Sequence, residues 1–213
     1  FNLRSAPTAR TEGVGFAGRA TWAPLNDGTT TFHLGASYSH ENLNKGTPSF
    51  SAVSNYAGRR GPSQSLATTT AAAGVNDSQV DTVGLEAAYA NGPLYLQSEL
   101  ARARYGQANG SAQDVLAWYV QGGWMLNGGA RAYKGATGVF GAPKVGESGL
   151  WELTARYDVM ENEDIATLRT RTAILGLNYY VNPNMRVMLN WTMGENERTG
   201  DEPEHFALRT QFA

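Results

Sequence analysis

The chain has 213 residues, a formal charge of −2, 41% hydrophobic residues, 25 glycines and no cysteine. That length suits a single all-β domain. The near-neutral charge gives no footing for nucleic-acid binding, and the lack of cysteine excludes a disulfide scaffold and thiolate metal sites. No apolar run approaches the ~20 residues of a membrane helix. The N-terminus, FNLRSAPTAR, has no basic-then-apolar signal pattern. The chain is therefore expected to follow a removed signal peptide or to start partway through a longer protein.

Period-two alternation recurs from end to end, and helical spacing does not. Residues 13–23 set Val14, Phe16, Ala20 and Trp22 against Gly15, Arg19 and Thr21. Residues 30–41 set Phe32, Leu34, Ala36 and Tyr38 against His33, Gly35, Ser37 and Ser39. The same two-faced pattern runs through 80–90 (Val83, Leu85 and Tyr89 against Glu86) and 94–105 (Leu94, Leu96 and Leu100 against Gln97 and Glu99). It returns in 114–126 (Leu116, Trp118 and Trp124 against Tyr119 and Gln121) and 150–160 (Trp151, Leu153 and Tyr157 against Glu152, Arg156 and Asp158). It continues in 169–181, 185–193 and 205–213. Nine segments of this length fit tilted transmembrane strands, and the mixed Gly, Thr, Asn, Glu and Arg face fits a water-filled lumen.

Connection lengths sharpen this reading. PLNDGT, NGP and NPN are short, whereas the connection over 42–79 is long and those around 106–113, 161–168 and 195–204 are polar and intermediate. Short periplasmic turns opposite longer external loops are expected of an outer-membrane barrel. Trp22, Trp124, Trp151, Tyr179 and Tyr180 fall near strand ends on the short-turn side, as an interfacial aromatic girdle requires. The predicted fold is thus all-β, a transmembrane antiparallel β-barrel. Nine is an odd count where bacterial single-chain barrels have even ones. Residues 1–213 are accordingly expected to form the C-terminal part of one larger barrel domain; a ten-stranded barrel with a further strand near 1–6 is the alternative.

One connection breaks the alternation of lengths. NGGARAYKGATGVFGAPKVGES, residues 127–148, is too long and glycine-rich for a hairpin turn. It carries Arg131, Tyr133, Lys134 and Lys144, including two of the chain's three lysines. A patternless connection longer than about 12–15 residues is usually functional or disordered. It either folds into the lumen and presents cations to anions, or is a solvated periplasmic loop. GVGFAG at 13–18 matches the dinucleotide fingerprint in letters alone, since it lies inside an alternating strand. His33, His40 and His205 are far apart, and no spacing points to a metal site, a cofactor or a nucleophile–base pair. The acidic loop 195–204 reads either as a solvated loop or as a holder of divalent cations beside lipopolysaccharide.

The run GWMLNGGARAYKGATGVFGAPK followed by GLWELTARYDV resembles the phosphate-selective porins of the OprO and OprP type. So do GLNYYVNPNMRVMLNW and the ending FALRTQFA; the first half matches more loosely, through GRATWAPL and FHLGASY. The resemblance implies a homotrimer of sixteen-stranded barrels in the outer membrane of a diderm bacterium, bedded in lipid and lipopolysaccharide, with this chain at strands eight to sixteen. It implies a passive pore for small anions such as phosphate or polyphosphate, not an enzyme, needing no cofactor. It favours the pore-lining reading of Arg131, Tyr133, Lys134 and Lys144. It also implies an external loop that dips inward with paired arginines, here Arg59 and Arg60. On the strand walls Arg19, Arg156, Arg186 and Arg209 are expected mainly to pair with Glu86, Glu99, Glu152 and Asp158. A general, unselective porin, or a structural anchor for a surface layer or envelope partner, are the other readings.

Overall fold

The computed structural model describes residues 15–43, 50–69, 78–106 and 111–212. The further strand considered near 1–6, the first two residues of the first predicted segment and the final Ala213 lie outside them.

All nine predicted spans are strands. They are β1 (Gly15–Asn26), β2 (Thr30–Leu43), β5 (Ser78–Asn91), β6 (Leu94–Gly106), β7 (Ala112–Met125), β10 (Leu150–Asn162), β11 (Arg169–Asn182), β12 (Met185–Asn196) and β13 (Glu204–Phe212). They form one sheet in the order β1-β2-β5-β6-β7-β10-β11-β12-β13. Every neighbouring pair is antiparallel, so sequence neighbours are spatial neighbours. Turn chemistry sets the register at the short connections. The Asp27 carboxylate accepts the amides of Thr29 (2.9 Å) and Thr30 (2.7 Å), while Gly28 takes a φ of +89°. Those amides hold the Asp27 carboxyl below its usual pKa. In the NPN turn Asn182 accepts the Asn184 amide at 2.9 Å.

The distribution of apolar residues is inverted relative to a water-soluble sheet. Leu85, Leu96, Leu175, Leu189 and Leu208 stand exposed on one face, with Trp22, Trp124 and Trp151 toward its short-turn margin. Outward rings contact across strands, Trp151 on Tyr179 at 4.4 Å and Trp191 on Phe206 at 5.7 Å. Covering such a face with lipid removes the cost of wetting it, roughly 25 cal/mol per Å². Tyr180 departs from the expected girdle. It is 5% exposed and points to the opposite, polar face. Pleating forces this, because adjacent residues of a strand face opposite ways and Tyr179 takes the outward position.

Buried residues gather where two short hairpins press on the polar face. One hairpin, β3 (Ser51–Asn55) and β4 (Ser63–Thr68), comes from the long-loop side. It covers a cluster of Ala52, Leu66, Ala67, Val115 and Leu168. The other, β8 (Arg131–Lys134) and β9 (Val139–Pro143), comes from the short-turn side, where Met125, Leu150 and Tyr180 cluster. The glycine-rich connection is therefore an inward-folded hairpin.

Candidate functional site

The β8–β9 hairpin is fixed to the polar face at two places. The first holds Arg131. Its Nη2 donates to Glu152 Oε1 at 2.6 Å and to the Tyr95 hydroxyl at 3.2 Å, and the guanidinium lies 4.3 Å from the centre of the Tyr95 ring. Glu152 is fully buried and accepts two more bonds, from Asn178 Nδ2 at 2.8 Å and from the Tyr180 hydroxyl at 2.9 Å. A buried carboxylate is tolerable when a cation and further donors satisfy it, as here. Burial opposes the Arg131 charge, but Tyr95 and Glu152 outweigh it, so its pKa lies above the ordinary arginine value. Gly123 makes room for this arrangement, since a Cβ there would meet the Tyr95 ring at 2.3 Å.

The second fixing point holds the far end of the hairpin. Arg19 on β1 donates to the carbonyls of Thr137 (2.9 Å) and Gly138 (3.3 Å). The same guanidinium grips Glu86 on β5, Nε to Oε1 at 2.8 Å and Nη2 to Oε2 at 2.9 Å. Gly35 on β2 leaves the space that Glu86 fills, because a Cβ would come within 2.0 Å of the carboxylate. Beside it the Tyr133 hydroxyl bonds His33 Nδ1 at 2.7 Å. His33 is buried, and its Nε2 lies 3.4 Å from Glu86 Oε1 without making a hydrogen bond to it. Tyr133 also meets Phe140 edge-on at 5.8 Å, which stiffens the hairpin.

Of the residues predicted from the sequence, the structure thus brings Arg131 and Tyr133 against the wall, in different anchoring sets. Lys134 ends β8, Lys144 directly follows β9, and both are exposed. Arg59 and Arg60 sit exposed in the turn of the β3–β4 hairpin. That hairpin is held by Asn196, which donates from Nδ2 to the Tyr56 hydroxyl (3.2 Å) and to Gln64 Oε1 (3.0 Å). Asn162 donates to the Leu66 carbonyl at 2.7 Å, and Thr170 to Ser54 Oγ at 2.7 Å.

The expected pairing on the strand walls is met in part. Arg19 pairs with Glu86 and Arg156 with Asp158 at 2.5 Å, while Glu152 takes Arg131. Arg186 instead donates to the Gln211 side-chain oxygen at 2.7 Å. Sequence reasoning left His33, Tyr95 and Asn178 out of the site. The available signal was the inward parity each shares with Arg19 or Glu152.

Between the hairpins run two openings on the polar face. One, about 140 Å³, lies under β8–β9 and is lined by Arg19, His33, Glu86, Glu99 and Tyr133 among others. The other, about 530 Å³, lies under β3–β4 and includes Arg59, Glu99, Tyr119, Arg156 and Asp158 in its lining. Cationic and hydroxyl groups facing such openings can hold anions.

The family model described as "Phosphate-selective porin O and P" matches residues 2–213. Comparison with curated proteins found no match.

Proposed function

Because the chain belongs to the phosphate-selective porin O and P family, we propose that it forms a passive outer-membrane channel for small anions whose constriction is built by the two inward hairpins. Lys134 and Lys144 are the cations that passing anions meet on the periplasmic side, and Arg59 and Arg60 those on the external side. Arg131 and Tyr133 act differently, holding the hairpin in position while leaving the lysines free to contact the solute. The observation that carries this reading is the division of labour within β8–β9. Its arginine is engaged by a buried carboxylate, and its lysines are exposed. A lysine ammonium is a mobile point charge, suited to admitting an anion and releasing it. The apolar outer face contacts outer-membrane lipid and lipopolysaccharide, and the channel works as a homotrimer.

The test is the reversal potential of the protein in a planar bilayer under a KCl gradient. Anion preference in the natural channel should fall at least severalfold in the double variant Lys134→Glu, Lys144→Glu. An unchanged preference in the double variant would refute the assignment of the lysines.

A further inference from the structure

We infer that Glu99 is a specificity-determining residue that limits how strongly the pore prefers anions over cations; this deepens the proposed channel function and rests on it. The register of β5 and β6 sets Glu86 directly opposite Glu99 on the polar face. Like charges so placed repel, and a sheet tolerates them only if something offsets the charge. For Glu86 the offset is the Arg19 fork. Glu152 and Asp158, the neighbouring carboxylates of that face, have Arg131 and Arg156.

Glu99 is the exception among these four. Its bonded partner among the described residues is neutral, the Tyr119 hydroxyl donating to Oε1 at 2.6 Å. Tyr119 is in turn oriented by Gln97, whose Nε2 donates to the hydroxyl at 2.7 Å. Arg156 stacks 3.7 Å from the centre of the Tyr119 ring, but its nitrogens are taken by Asp158 and by Gln121 at 2.7 Å. Its charge is therefore used locally. Glu99 is exposed, and it lines both the opening under β8–β9 and the one under β3–β4. It thus holds a negative charge that no cation among the described residues bonds, although Arg19 in the Glu86 fork feels its field, where the route between Arg59 and the hairpin lysines passes. Such a charge shortens the stay of an anion and admits a share of cations. Conduction needs release as much as capture.

Glu99→Gln keeps the acceptor for Tyr119 and removes the charge. For the natural chain in planar bilayers at about 0.1 M KCl, this variant should raise the anion-to-cation permeability ratio about two- to threefold, the size of effect one charge has on ions within about one Debye length of it in water. The rise should shrink near 1 M salt, where screening acts over about 3 Å. Glu99→Ser, a second neutral variant, should shift the ratio the same way if the glutamine variant fails to insert. A pore without anion preference in the unaltered protein refutes the underlying channel reading. A ratio unmoved by both Glu99 variants, in a pore that does respond to the lysine reversals, refutes this inference alone.

Discussion

Glu152 is the residue on which the β8–β9 hairpin depends most directly. It is fully buried and receives one charged and two neutral donors. Removing one partner of a buried ion pair costs about 3–5 kcal/mol, because the other charge is left uncompensated. Glu152→Leu should therefore loosen β8–β9. Protease cleavage within 127–149 should quicken and open-channel current noise should rise, and cleavage at the unaltered rate would argue against the anchor. Arg131 was legible as a cation but not as a committed one, since its partner lies on β10, beyond the whole hairpin. Parity held the missing clue. Glu152, Asn178 and Tyr180 share inward positions across β10 and β11, and Tyr180 cannot join the girdle beside Tyr179 because adjacent residues of a strand face opposite ways.

At the level of elements, the spans and the inward hairpins differ in how visible they were. The nine spans could be read because alternation is a local signal, repeated within each strand and bounded by turn residues. The hairpins are fixed by distant bonds. Asn162 meets Leu66 and Arg19 meets Thr137 across 96 and 118 residues of sequence. Length marked both connections as unusual, and glycine content the second, but nothing within 127–148 specifies two strands joined over 135–138. The external hairpin offers a test of such long-range fixing. Asn196 is 1% exposed and joins Tyr56 to Gln64. Asn196→Ala should cost about 1–3 kcal/mol by stranding those partners. Hydrogen exchange in 50–69 should accelerate while the neighbouring spans keep their protection; uniform acceleration of both would mean that the hairpin is not a separate unit.

For the molecule as a whole, the decisive feature is which face carries the grease. Leu175 stands 48% exposed midway along β11, flanked by Ala155 on β10 and Trp191 on β12. An arginine at the bilayer midplane costs about 2–4 kcal/mol. Leu175→Arg should lower stability by that amount in folding titrations into lipid vesicles, and a variant as stable as the parent would mean that this face does not meet lipid.

The paired fixing points of the β8–β9 hairpin have a mechanical corollary. Arg131 reaches β10 and Tyr133, two residues on, reaches β2, with β5, β6 and β7 lying between those strands. Four inter-strand steps of about 4.8 Å make an arc of roughly 19 Å. A chord tied at both ends resists flattening of the arc that it subtends. The segment between these two anchors thus acts as a tie rod, so loosening either end should let the wall flatten before any strand separates.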